Sequence, residues 1–97
     1  MNYRVRLHPS VAEDLARIRE HLLTHEASWL EERLLTVEDA LVSLARNPFV
    51  GRPNGALREL IIGRDAWGYV ALYAVGERRR VVQVLAIRHQ REAGYTR

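Results

Sequence analysis

The sequence predicts an α+β fold: an antiparallel helical hairpin packed on one face of a small, mostly antiparallel four-stranded sheet, in the order β-α-α-β-β-β. Three observations predict it. Two stretches in the first half repeat apolar residues at helical spacing and are joined by a short segment. Two stretches in the last third, Trp67-Gly68-Tyr69-Val70-Ala71-Leu72-Tyr73-Ala74-Val75 and Val81-Val82-Gln83-Val84-Leu85-Ala86-Ile87, are rich in β-branched and aromatic residues, and Gly76-Glu77-Arg78-Arg79-Arg80 separates them. That is a hairpin signal. A connector rich in proline and glycine divides the helical half from the strand half.

In chain order, Asn2 to Leu7 reads as a strand, because Tyr3, Val5 and Leu7 alternate with Asn2, Arg4 and Arg6, so the first face should be buried and the second wet. His8-Pro9-Ser10 ends it. Ser10 followed three residues later by Glu13 fits a capping box, and Asp14 places negative charge near the positive helix end. The first helix is expected over 10–24, with Val11, Leu15, Ile18 and Leu22 on one stripe. The second is expected over 28–46, with Leu30, Leu34, Val37, Leu41 and Leu44 in the same rhythm. The short join His25-Glu26-Ala27 folds them into a hairpin. Asn47 to Gly55 holds two of the three prolines and two of the six glycines, so it reads as a rigid connector. Within it Phe49 is expected to tuck under the domain edge. Leu57 to Ile62 is the next strand, and Gly63-Arg64-Asp65 the turn before the terminal hairpin. Both hairpin strands are apolar on both faces, so they should be central. The sheet face away from the helices is expected to be partly open and to carry arginine.

The 97 residues suit one domain, 1–97, with one modest core. Hydrophobic residues make up 47% and charged residues 28%, which excludes a disordered tail protein. Without cysteine, disulfides and thiolate metal sites are excluded. The apolar runs are too short to span a bilayer, and the start lacks a signal-peptide pattern, so no membrane partner and a cytoplasmic location are expected. His21 and His25 lie four apart on one helix, but neither they nor His8 have a third ligand in view, so neither metal nor cofactor is expected. The net charge is +3, and all 15 basic residues are arginine. That balance suits nucleic acid or an acidic protein and does not choose between them.

Several motifs, in this order and spacing, resemble the RelE/ParE superfamily, the toxin halves of bacterial type II toxin–antitoxin modules. They are the opening strand with His8-Pro9-Ser10 and Ala12-Glu13-Asp14-Leu15; Asn47-Pro48 through Gly51-Arg52-Pro53; Leu57-Arg58-Glu59-Leu60; and Gly68-Tyr69-Val70-Ala71-Leu72-Tyr73 followed by Val84-Leu85-Ala86-Ile87-Arg88-His89-Gln90-Arg91. The resemblance covers essentially the whole chain. It implies two activities on one fold. RelE-like members cut mRNA in the ribosome, and ParE-like members inhibit DNA gyrase. Both are neutralised by a cognate antitoxin, often in a higher hetero-oligomer. This chain departs from some RelE-like relatives in having no lysine to serve as a catalytic cation, and its 12 acidic residues offset the arginines. The ParE-like branch is therefore favoured, with gyrase the first target. The alternatives are a ribosome-dependent, metal-independent mRNA endonuclease and a degenerate toxin confined to antitoxin binding and operon autoregulation.

RNA cleavage of this kind needs a base, an acid and cations around the phosphate. The polar exit of the last strand offers candidates. If the chain is RelE-like, His89 is the base or acid, Arg88 and Arg91 hold phosphate, and Tyr95 stacks or donates a proton. Arg58 and Arg64 are candidate phosphate or partner contacts, and Tyr69 and Tyr73 candidate antitoxin contacts sharing a strand face. A plainer reading stands beside each. His89 caps the strand, Arg88 and Arg91 pair with Glu59, Glu92 or antitoxin carboxylates, Tyr69 and Tyr73 fill the core, Trp29 and Trp67 anchor element ends, and Arg78-Arg79-Arg80 is a solvated turn.

Overall fold

A computed structural model describes residues 2–63 and 67–91. The chain runs β1 (Arg4–Leu7), α1 (Pro9–His25), a 3-10 turn (Ala27–Trp29), α2 (Leu30–Ser43), β2 (Arg52–Asn54), β3 (Leu57–Ile62), β4 (Tyr69–Gly76) and β5 (Val81–His89). The strands form one sheet in the order β1-β5-β4-β3-β2. β1 runs parallel to β5, and the other pairings are antiparallel. The expected α+β class and the covering of one sheet face by two helices hold. The sheet is one strand wider than expected, because Arg52–Asn54 leaves the connector and pairs with β3, Arg52 opposite Glu59. Three residues centred on Pro53 give no alternation to read. A proline there is tolerable because β2 is an edge strand, where a missing N–H costs no ladder bond.

The core lies between the helices and one sheet face. α1 contributes Val11, Ile18 and Leu22, α2 contributes Val37 and Leu41, and Leu44 follows just beyond. The sheet answers with Ile62, Tyr69, Ala71, Tyr73, Val82, Val84 and Ile87. On β4 those residues alternate throughout, as Tyr69, Ala71 and Tyr73, but on β5 the spacing changes where the register shifts: Leu72 opposes Ala86, while Tyr73 opposes Val84. The extra residue, Leu85, makes a bulge that keeps Val84 and Ile87 on the helix side despite their odd spacing.

Four local expectations change. α1 begins one residue early, with Pro9 at its first turn and His8 as N-cap, whose Nδ1 accepts the Ser10 N–H at 3.1 Å. The Ser10–Glu13 capping box therefore does not form. Ser10 lies inside the helix, and its hydroxyl donates to the Leu85 carbonyl at 2.9 Å. α2 starts at Leu30 and ends at Ser43, shorter than the periodic stretch suggested, because Ala27–Trp29 winds as a 3-10 turn. Leu7 is 50% exposed at the end of an edge strand, where no neighbour covers it. Phe49 also stays exposed, packed edge-on to Tyr3, while Pro48 and Gly51 are the buried residues of the connector.

A side-chain ladder fixes α1 to the sheet. β1 pairs only with 81–84 of β5, so the backbone of β5 beyond Val84 loses its strand neighbour on that side. Ser10, Asp14 and Arg17, at helical positions i, i+4 and i+7, take its place. Ser10 Oγ donates to Leu85 O, the Ile87 N–H donates to Asp14 Oδ2 at 2.8 Å, and an Arg17 Nη donates to Ile87 O at 3.4 Å. Arg17 also pairs with Asp14 at 3.0 Å. Buried backbone groups are thus satisfied by a helix rather than by a strand. The same ladder sets how closely α1 approaches the polar end of β5.

Candidate functional site

At that end a pocket of about 490 Å³ opens between α1 and the sheet. It is lined by Arg17, Ile18 and His21 of α1, Glu26 at the helix join, Tyr69 at the start of β4, and His89 and Arg91 at the exit of β5. The antiparallel register brings Tyr69 opposite His89, and their rings meet edge to face at 5.5 Å. His21 lies 6.2 Å from His89 and stacks on His25 at 4.5 Å. Among the described residues no group of three or more His, Asp or Glu side chains is arranged to hold a metal ion.

The chemistry of this pocket follows from how its groups are held. His89 Nδ1 accepts the Arg91 N–H at 3.1 Å, so Nε2 is the nitrogen that carries the proton in the neutral ring. That bond turns the chain sharply at Gln90, whose own N–H donates to Gly68 O at 2.9 Å. Tyr69 is nearly fully buried, and burial pushes its phenol above the ordinary value; Arg33 pulls it down and Glu26 pushes it further up. It is therefore a neutral hydroxyl at physiological pH. A neutral phenol, an imidazole and arginines around an apolar floor suit recognition of an anionic or hydrogen-bonding group on a larger partner.

The sequence-predicted residues divide among several places. His89 and Arg91 meet in the pocket with Tyr69. Arg88 opposes Val70 and so projects from the other face of β5, and its guanidinium folds back onto the carbonyls of His89 at 3.2 Å and Gln90 at 3.3 Å. Tyr73 is fully buried, and its hydroxyl accepts the Gly51 N–H at 2.8 Å. Burial raises its pKa, offset in part by that hydrogen bond and by Arg58. Arg58 holds the connector, donating to Phe49 O at 3.1 Å and Gly51 O at 2.6 Å with its guanidinium over the Phe49 ring. Glu59 pairs with Arg52 at 3.2 Å. Arg64 and Tyr95 lie outside the described residues, as does Glu92.

One feature beside the pocket was not legible in the sequence. The Arg33 guanidinium sits 5.0 Å from the Trp67 ring centre and 5.5 Å from that of Trp29, and it forms an ion pair with Glu26. Two indoles, an arginine and a carboxylate thus cluster beside the pocket, and Glu26 also lines it. Arg33 is one charge among many on α2, and only the path of the chain brings both tryptophans to it.

A family model described as the ParE toxin of the type II toxin–antitoxin system parDE matches residues 5–94. Among solved structures, a chain of the chromosomal ParDE system from P. aeruginosa superposes with a TM-score of 0.76 at 21% identity, covering 90% of this chain and 95% of that one. A chain of the RelBE2 toxin–antitoxin complex from Mycobacterium tuberculosis superposes with a TM-score of 0.63 at 23% identity, covering 93% and 100%. A mutant of the E. coli toxin RelE in the free state gives 0.64 at 14% identity, covering 96% and 88%. At these identities the structural likenesses speak for the fold. No curated protein sequence matches the chain.

Proposed function

Because this chain belongs to the ParE toxin family of type II toxin–antitoxin systems, we propose that it inhibits growth by binding a macromolecular target, DNA gyrase first, through the pocket at the end of β5. What supports a binding role over RNA cleavage is that the predicted nuclease residues do not all converge. A nuclease needs base, acid and cations around one phosphate. Here Arg88 leaves on the opposite face from His89, Nδ1 of His89 is occupied by the Arg91 amide, and the Tyr69 hydroxyl is buried with a raised pKa.

The purified chain, added to gyrase and relaxed plasmid, is expected to block supercoiling and to accumulate linear, cleaved DNA. His89→Ala combined with Arg91→Ala should weaken that effect by about tenfold or more, the usual loss when a central contact is removed. Supercoiling unchanged at saturating protein would remove gyrase as the target. Cleavage of ribosome-bound mRNA, abolished by His89→Ala, would return the chain to the RelE-like reading.

The antitoxin partner is proposed to lie along the helices and to reach the arginine-bearing sheet face with an acidic segment. Its support is apolar surface left uncovered on the helices. Leu35 and Val42, one heptad apart on α2, are 56% and 65% exposed, and Leu23 and Trp29 are exposed nearby in sequence. Isothermal titration with the cognate antitoxin should show that Leu35→Asp with Val42→Asp weakens binding by about tenfold or more. Unchanged affinity would mean the antitoxin takes another path.

A further inference from the structure

We propose that the end of the sheet remote from the pocket is a second binding surface, one that takes the phosphate backbone of a nucleic-acid duplex. Three segments distant in sequence bring arginine there. The β4–β5 turn supplies Arg78, Arg79 and Arg80. β1 supplies Arg4 and Arg6, held against the turn because Arg4 pairs with Val81 and its N–H donates to Arg80 O at 2.8 Å. The exit of α2 supplies Arg46, placed beside β1 by the Tyr3 N–H to Ala45 O bond at 2.7 Å. All six arginines are exposed. Among the described residues none of the six has a carboxylate within ion-pair distance, whereas Arg17, Arg33 and Arg52 each do. On these segments Glu77 is the sole acidic residue.

The chemistry favours phosphate over a protein partner. A protein interface is centred on a desolvated aromatic or aliphatic anchor, whereas the turn 77–80 carries only charged side chains, and the exposed Leu7 and Phe49 lie off it, at the other end of β1 and in the connector. Phosphate-backbone binding needs only correctly placed cations, and the guanidinium fork is suited to it. The backbone supplies an independent argument. Arg80 has φ 54°, a left-handed conformation that glycine adopts with less strain. An arginine at that position costs folding energy and contributes a charge at the tip of the hairpin. Because the turn is hydrogen-bonded to β1, the charges sit on a rigid edge and need little ordering on binding. The surface lies roughly 24 Å from the pocket, at about 3.4 Å per residue along β4, so a partner in the pocket leaves it open.

Fluorescence anisotropy with a labelled 20-base-pair DNA duplex, between 50 and 200 mM NaCl, tests this with the purified chain and no gyrase present. The outcome is thus separate from that of the gyrase reading. Log affinity should fall linearly with log salt, with a slope of about −0.9 for each phosphate neutralised. Combining Arg78→Gln, Arg79→Gln and Arg80→Gly should reduce the slope by roughly 2.7, three such steps. Arg19→Gln, on exposed α1 surface, should leave it unchanged. Arg80→Gly alone should weaken binding while leaving the thermal midpoint equal or higher, which a merely structural arginine would not do. Absence of binding at 50 mM salt, a slope unchanged by the triple substitution, or displacement of the duplex by an equal charge of polyglutamate would overturn the proposal.

Discussion

Replacing Asp14 by alanine is expected to remove about 3 kcal/mol of stability, because a buried charged acceptor of a backbone N–H is lost together with its ion pair. Asp14 is 1% exposed, accepts the Ile87 N–H and pairs with Arg17. Alanine would leave the Ile87 N–H facing an apolar gap, on a stretch of β5 that β1 does not reach. For a domain of this size the loss corresponds to a drop of roughly 12–24 °C in midpoint. Asp14→Asn keeps an acceptor at the same place but not the charge, so it should cost about half as much. Urea unfolding followed by circular dichroism measures both. An alanine variant within about 1 kcal/mol of the parent would mean that Ser10 and Arg17 hold α1 to β5 by themselves. The pocket should report the same event, since α1 carries Arg17, Ile18 and His21 into it.

Gly51→Ala should cost about 2–3 kcal/mol, an overpacking penalty. A Cβ there would fall 2.5 Å from the Tyr73 hydroxyl, 2.7 Å from the Glu59 carbonyl oxygen and 2.8 Å from Tyr73 Cε1. Neither neighbour can yield cheaply: Glu59 O is backbone of β3, and the Tyr73 ring is fully buried. The displacement would also break the Gly51 N–H to Tyr73 hydroxyl bond. Gly55→Ala is the control. Gly55 has φ +62° but open space around it, so its cost is backbone strain alone, about 1 kcal/mol. Equal midpoints for the two variants in a thermal melt would refute the crowding argument at Gly51. Tyr73→Phe should recover part of the Gly51→Ala loss, because it removes the nearest of the clashing atoms.

The legible parts of this fold are those that repeat. Val11, Ile18 and Leu22 announce a helix by their spacing, and they are buried where that spacing places them. β3 matches its expected bounds, and the β4–β5 hairpin follows from two apolar runs around a charged turn. A single residue is less legible where two local signals compete. Ser10 looked like an N-cap, yet Pro9 occupies the first turn, and a proline there makes the preceding residue, His8, the cap. β2 leaves no mark in the sequence, because three residues around a proline carry no period. Asp14 did carry a usable signal: an acidic residue on the buried side of a helical stripe needs a partner.

The candidate site was visible in part. His89 and Arg91 stand out at the exit of a buried strand, and the structure puts both in the pocket. That Arg88 faces away from them follows from strand alternation. Their meeting with Tyr69, and the cluster of Trp29, Arg33 and Trp67 beside them, depends on register and on the helix join.

From its residues alone the chain determines an α+β fold with a helical layer over a sheet, and the toxin kinship that its motifs spell out. Periodic burial and turn chemistry are local properties, set by neighbours a few positions apart. The tertiary structure decided which side chains share a place: the α1–β5 ladder, the pocket, and the six arginines gathered at the hairpin end. Those depend on strand register and helix docking, in which residues more than 70 positions apart satisfy one another's hydrogen bonds, and no local pattern records such a partnership.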